Sequence, residues 1–231
     1  MEREDTMAST KQRLLQAVLP HVPFDGWSDA ALNAAATESA TAAALARALF
    51  PRGGVDLALA YHQHGDDLMR QALAATDLTA LRFRDRVTLA VKLRLQSADR
   101  ELVRRGAALL ALPNHAVEGT KAIWGTADAI WTALGDTSTD LNWYTKRASL
   151  SAVYGATTLF WMGDDSPDHS ATWEFLDRRI EGILQFEKTK ASFRANPLGK
   201  ALLAGPLKIL ERVHAHKGTQ TCPASPERPN P

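Results

Sequence analysis

The sequence predicts an all-α fold. Alanine recurs through most of the chain, apolar residues return at i, i+3 and i+4, and alternating β-branched runs bounded by Asn-Gly or Asp-Gly turns are hard to find. The 231 residues suffice for one full domain or two small ones, and 45% hydrophobic with 23% charged residues is a globular balance that excludes disordered, collagen-like and disulfide-framework classes. Cys222, the single cysteine, has no disulfide partner in the chain.

Residues 1–10 read as a polar, disordered lead-in. The first helix carries Leu14, Leu15, Val18 and Leu19 and stops near Pro20. Ser28 is placed to cap a short second helix through Leu32 and Ala36, because its hydroxyl can accept from an unpaired first-turn N–H. A third helix is expected from about Ser39 to Phe50, ended by Pro51-Arg52-Gly53-Gly54, so residues 11–55 form a helix-turn-helix-like three-helix part.

Residues 56–195 follow as the main helical part, led by a longer helix that starts near Val55. The span 82–105 reads as one helix with Phe83, Val87, Val91, Leu95 and Leu102 on one side. Eight basic and three acidic residues lie elsewhere on it, a stripe read as a solvated face. After Pro113, Ile123, Trp124, Ala127, Ile130, Trp131 and Leu134 keep helical spacing up to Gly135. The next helix, through Met162, is apolar nearly all round and is expected at the centre. Ser166 and Pro167 are a start signal for the helix of Trp173, Leu176, Ile180, Ile183 and Leu184. Residues 196–215 are expected as a C-terminal amphipathic helix. Residues 216–231, with Pro223, Pro226, Pro229 and Pro231, form a disordered tail.

No catalytic residue, metal ligand or cofactor is expected. His62-Gln63-His64-Gly65-Asp66-Asp67 has metal-ligand residue types, but on a helix i and i+2 point about 200° apart and no second cluster completes a shell. Glu-x-x-His occurs at Glu211 and His214, where a di-iron bundle needs the motif on each of two helices. There is no Gly-x-Ser-x-Gly elbow and no phosphate loop. Asp164, Asp165, Asp168 and His169 fit a turn before a helix N-terminus, where acidic residues complement the dipole.

Electrostatics argue against nucleic acid as a partner. The whole chain carries 27 basic and 26 acidic residues. Residues 1–50 hold Arg3, Lys11, Arg13 and Arg47 against Glu2, Glu4, Asp5, Asp25, Asp29 and Glu38, a net of −2 where phosphate binding needs the reverse. No apolar run reaches the roughly 18–20 residues of a membrane span, and the acidic start is unlike a signal peptide. The expectation is a cytoplasmic, bacterial-type protein without a targeting peptide, or else a processed organellar one. On a helical wheel Leu198, Leu202, Leu203, Leu207, Ile209, Leu210 and Val213 share one half, opposite Lys200, Lys208, Glu211 and Arg212. Such a helix can lie in a membrane interface, and the same pattern also fits a terminal helix docked on its own core.

The run Gly135-Asp136-Thr137-Ser138-Thr139-Asp140-Leu141-Asn142-Trp143-Tyr144-Thr145-Lys146-Arg147-Ala148, with Asp165-Ser166-Pro167-Asp168 and Thr172-Trp173-Glu174-Phe175-Leu176, resembles the Coq-nine family of ubiquinone-biosynthesis accessory proteins. The likeness reaches upstream to His21-Val22-Pro23-Phe24-Asp25-Gly26-Trp27 and Leu49-Phe50-Pro51, and covers about residues 11–215. It implies a TetR-like helical bundle, usually a homodimer, that is not catalytic. It implies binding of an isoprenoid or quinone lipid in the 56–195 part and association with the inner membrane surface through the 196–215 helix. It also implies assistance to the hydroxylase that acts on the demethoxy precursor.

Carried over by position, Asp140, Asn142, Trp143 and Tyr144 match the family's hydroxylase-contact patch. Trp124, Trp131, Phe160 and Trp161 are candidates for lining the lipid cavity, with ordinary core packing as the competing reading. Leu198, Leu202, Leu203, Leu207, Ile209, Leu210 and Val213 would meet the membrane. A rival within the same fold is a ligand-responsive TetR-like transcription regulator that binds DNA.

Overall fold

The structure is a computed structural model and describes residues 2–139 and 141–195, with side chains described between residues 7 and 183. Ten α-helices and one 3-10 turn make up the ordered elements among these residues. The first four, α1 Glu2–Val18, α2 Val22–Asp25, α3 Asp29–Glu38 and α4 Ala43–Leu49, close around Leu14, Val18, Val22, Leu32 and Phe50. Ser28 caps α3 as expected, its Oγ accepting from Ala31 N at 3.2 Å.

Two corrections belong to this part. The stretch read as a disordered lead-in, residues 1–10, supplies from Glu2 onward the start of α1. No Gly or Pro interrupts residues 2–18, so no helix breaker stands before Val18. Helix α4 begins at Ala43 rather than Ser39, because α3 ends in a left-handed turn at Ala40, with φ 49°. Thr41 N donates to Ala36 O and Ala40 N to Thr37 O, the closing bonds of a Schellman turn formed without glycine.

Helix α5, Gly54–Ala74, joins two cores. Its first half gives Leu57 and Ala58 to the N-terminal cluster, and its second half gives Met69 and Leu73 to the larger one. Its entry depends on glycine: a Cβ at Gly54 would lie 2.0 Å from the Trp27 carbonyl oxygen, a backbone atom with nowhere to retreat. Gly54→Ala is therefore expected to destabilise the protein by about 1–3 kcal/mol. Urea unfolding of the purified chain measures this, and a loss near zero would contradict so close an approach.

The larger core is built by α6 Phe83–Gln96, α7 Arg100–Leu110, α8 Ala116–Ala133, α9 Leu141–Met162 and α10 Ser170–Ala195. Met69, Val91, Leu95, Ile130, Leu150 and Leu176 are its largest fully enclosed apolar side chains. The single helix expected over 82–105 is two, α6 and α7. Asp99 restarts the chain by accepting from Glu101 N at 2.8 Å and Leu102 N at 3.0 Å, while its own N–H donates to Tyr61 Oη at 2.9 Å.

Helix α9 is not enclosed on all sides either. Leu159 and Phe160 are 68% and 39% exposed. The start of α10 is held by Asp164, which accepts from Thr172 N at 2.9 Å and Thr172 Oγ1 at 2.5 Å. Thr172 and Ser166 together hold the Asp164 carboxyl far below the usual carboxylate range. Ser166 Oγ adds a bond from Ala171 N at 3.0 Å, after the 3-10 turn Pro167–His169.

The helix-turn-helix-like part is fastened to the rest rather than hung from it. Trp27 Nε1 donates to Leu102 O at 3.1 Å, Arg105 donates to Pro23 O at 2.7 Å, and Arg52 joins Asp56 to Glu118 of α8. No helix among the described residues is long and apolar enough to cross a membrane.

Candidate functional site

Where the two cores meet, α5, α7, α8 and α9 leave a cavity of about 380 Å³. Its walls explain the void. Gly106 and Ala107 of α7, Gly119 and Ala122 of α8, and Gly155 of α9 present little or no side chain to it, and at Gly119 the α7 backbone comes so near that a Cβ would lie 2.9 Å from the Leu110 carbonyl oxygen. Trp27, Leu102, Leu110, Ile123, Leu159 and Met162 make the remaining surface overwhelmingly apolar. A volume of this size falls within the range of small-molecule sites, roughly 300–1,000 Å³.

One wall is polar. His62 of α5, Arg94 of α6 and Tyr154 of α9 reach the cavity, and behind them Asp66 and Thr126 complete a network. Arg94 is 3% exposed and Asp66 2%; Arg94 Nε donates to Asp66 Oδ1 at 2.6 Å and Nη2 to the His62 carbonyl at 2.9 Å. Thr126 Oγ1 donates to Asp66 Oδ1 at 2.9 Å. His62 Nε2 lies 3.1 Å from the Ala122 carbonyl and 2.8 Å from Thr126 Oγ1. A carbonyl only accepts, so Nε2 carries the proton. Burial, with the Arg94 cation second, pushes the His62 pKa down to about 4 and keeps the imidazole neutral. Burial likewise raises the Tyr154 phenol.

Arg94 belongs to the basic stripe that the sequence presents as a solvated face, and its burial against Asp66 corrects that reading for this residue. The sequence signal for the site lay in the His62-Gln63-His64-Gly65-Asp66 run, where His62 and Asp66, four apart, share one helical face. His64 faces Gln12 and Gln16 instead, and no group of three metal-ligand side chains exists among the described residues.

Of the four aromatic residues considered for a lipid cavity, none lines this one. Trp131 stacks on Phe83 at 5.4 Å and borders a second cavity of about 380 Å³, with Val87, Asn142, Lys146, Leu150, Ile180 and Ile183. Trp124 packs on Trp143 at 6.0 Å, Phe160 stacks on Phe175 at 4.7 Å, and Trp161 is enclosed in the core.

The aromatic patch at the start of α9 is a separate feature. Trp143 and Tyr144 meet edge to face at 4.8 Å, both partly exposed, and Asn142 lies beside them. The Arg147 guanidinium lies 4.0 Å from the centre of the Trp143 ring. Arg147 is itself enclosed, with Nε 2.5 Å from Asp128 Oδ1 and Nη1 3.0 Å from Asp136 Oδ2, so it supports the patch from beneath. Burial works against the Asp136 carboxylate, but hydrogen bonds from Lys146, Ser138 and Arg147 hold its pKa down to about 2. Asp140 lies outside the described residues, as do Leu198, Leu202, Leu203, Leu207, Ile209, Leu210 and Val213 of the amphipathic segment.

A family model described as COQ9 matches residues 116–187, which take in α8, the aromatic patch and most of α10. The chain is 30% identical over 218 residues to the human "Ubiquinone biosynthesis protein COQ9, mitochondrial", covering 88% of this chain and 67% of that protein. It belongs to the COQ9 family. "Ubiquinone biosynthesis protein COQ9-B, mitochondrial" of Xenopus laevis is 33% identical over 206 residues, covering 84% of this chain and 69% of the relative.

Among solved structures, a TetR transcriptional regulator from Nitrosomonas europaea superposes with a TM-score of 0.61 at 17% identity. The superposition covers 75% of this chain and 97% of the regulator. The COQ9 fold seen here is thus all-α and TetR-like, with the cavity between its two cores.

Proposed function

We propose that this chain is a non-catalytic lipid-binding protein of ubiquinone biosynthesis, which takes up isoprenoid quinone intermediates at the membrane and presents them to the demethoxy-ubiquinone hydroxylase. The observation that carries the reading is the apolar cavity with its polar wall, in a chain whose relatives are named ubiquinone biosynthesis proteins. Each methylene moved out of water into such a space contributes about 0.8 kcal/mol, so a prenyl chain is held by its length while the polar wall meets the ring.

Docking of the hydroxylase falls to Asn142, Trp143 and Tyr144, with Asp140 in the same motif. Trp and Tyr present large, rigid areas of the kind that dominates interfaces, and the buried Arg147 keeps Trp143 oriented. The apolar half of residues 198–213 supplies membrane contact at the inner membrane surface of a bacterial-type cell. A homodimer is part of the same reading. The TetR-like fold alone does not favour a DNA-binding regulator, because residues 1–50 carry a net −2 and Arg47 lies 3.8 Å from Asp29.

The test is native mass spectrometry, with organic extraction, of protein purified from its own host. A polyprenyl quinone or related lipid released on denaturation is the expected result. An empty protein that shifts promoter fragments in a salt-sensitive way would overturn it. For the docking half, Tyr144→Ala is expected to weaken capture of the hydroxylase at least about tenfold with little change in melting temperature. Unchanged capture would remove the patch from the interface.

A further inference from the structure

The polar wall of the cavity has a directional hydrogen-bonding character that the apolar remainder lacks. His62 Nε2 is committed as a donor to the Ala122 carbonyl and Thr126 Oγ1. The Thr126 hydroxyl has its shortest acceptor in Asp66 Oδ1 at 2.9 Å, and donating there it accepts from the imidazole. The ring is neutral, and its second nitrogen, Nδ1, therefore carries a lone pair; among the described residues it has no hydrogen-bond partner. Next to it Arg94 uses Nε on Asp66 and Nη2 on the His62 carbonyl, while Nη1 makes no hydrogen bond to the described residues.

Glycine at position 65 is what allows this placement. A Cβ there would stand 2.4 Å from Arg94 Nη1, so the guanidinium occupies space that a side chain at position 65 would take. His62 and Arg94 both line the cavity, and the nitrogens they leave unpaired among the described residues are one acceptor, His62 Nδ1, and one cationic donor, Arg94 Nη1, on side chains held by Asp66, Thr126 and the Ala122 carbonyl.

We infer that His62 and Arg94 read the head of the bound amphiphile, favouring a ring that bears a hydroxyl, which can donate to His62 Nδ1 and accept from Arg94 Nη1, over its oxidised carbonyl-only counterpart. A carbonyl oxygen can meet Arg94 but leaves His62 Nδ1 facing a lone pair. An acceptor that gives up its water to the ligand and gains no donor in return lowers affinity by about tenfold or more. His62 and Arg94 are specificity-determining residues in this assignment, and Asp66 and Gly65 position them. The inference rests on the cavity being a lipid site, as proposed above.

The experiment is calorimetric titration of the full chain with decyl-substituted 1,4-benzohydroquinone, kept reduced under argon, and with the matching 1,4-benzoquinone. The expected result is about tenfold tighter binding of the hydroquinone. His62→Phe is expected to bring the two to within about twofold, with the affinity from the alkyl chain retained. Gly155→Leu fills the apolar end, where a Cβ would stand 3.8 Å from Ile123, and is expected to weaken both ligands alike.

Equal affinities in the wild type, both lost in Gly155→Leu, would overturn the head-group inference and leave the lipid site standing. Binding of neither ligand by the wild type would overturn both. Should His62→Phe fail to fold, nitrogen NMR of the wild-type imidazole serves instead. The unprotonated Nδ1 resonance is expected to move upfield with the hydroquinone alone, and an unmoved resonance overturns the assignment.

Discussion

Asp66→Ala is expected to destabilise the protein by about 3–5 kcal/mol, the cost of leaving a buried cation without its partner. The Arg94 guanidinium is 3% exposed, and among the described residues its hydrogen-bond acceptors are Asp66 and the His62 carbonyl. The substitution would also strip Thr126 Oγ1 of its acceptor and take away the carboxylate that opposes proton loss from His62. For a chain of this length the melting temperature should fall by on the order of 10 °C, readable by circular dichroism. The double variant Asp66→Leu, Arg94→Met is expected to recover most of the loss, because it removes both charges together. A single-variant loss below about 1 kcal/mol would mean that water reaches the guanidinium from the cavity.

Acid is expected to weaken the fold through His62, over a window set by its own shift. The unfolded imidazole takes a proton as pH falls through about 6.5, whereas the folded one, held down by burial and Arg94, does so only near 4. Between those values the unfolded chain binds more protons. Stability is therefore fully present above pH 6.5 and declines toward pH 4, by about 3 kcal/mol in all at 1.36 kcal/mol per pH unit. Arg94 of α6, Asp66 of α5, Thr126 of α8 and Tyr154 of α9 face the ring. Urea unfolding from pH 7.5 to 4.5 measures the slope, and His62→Gln, which keeps a donor for Ala122 but does not titrate, should flatten it. Equal slopes in the two proteins would place the acid sensitivity elsewhere.

Much of the helical order was legible because its signals are local. Ser28 caps α3 through an N–H three residues away, Gly135 ends α8 with φ 78°, and Ser166 with Pro167 marks the approach to α10. The misses have local causes as well. The Schellman turn at Ala40 has no glycine to announce it, and the Asp99 cap is hidden inside a run whose apolar spacing continues from α6 to α7. The site was less legible than the fold. Trp124, Trp131, Phe160 and Trp161 stood out because they are large, yet none of them lines the cavity between the cores, whose wall includes Gly106, Gly119 and Gly155, residues with no side chain to stand out.

The sequence by itself determined the all-α class, most helix boundaries, the lack of a basic face in residues 1–50 and the family to which the chain belongs. Those follow from capping, periodicity, charge count and residue order, each readable within a few neighbouring positions. Tertiary structure alone decided which cation leaves water and where the void opens. Asp66 and Arg94 are 28 residues apart, and the cavity's small residues come from three helices, so neither exists until α5 to α9 pack. Desolvation and packing are set by neighbours distant in sequence: they turned one arginine of a basic stripe into a buried cation of the cavity wall, and gave a histidine four residues from Asp66 a place beside it.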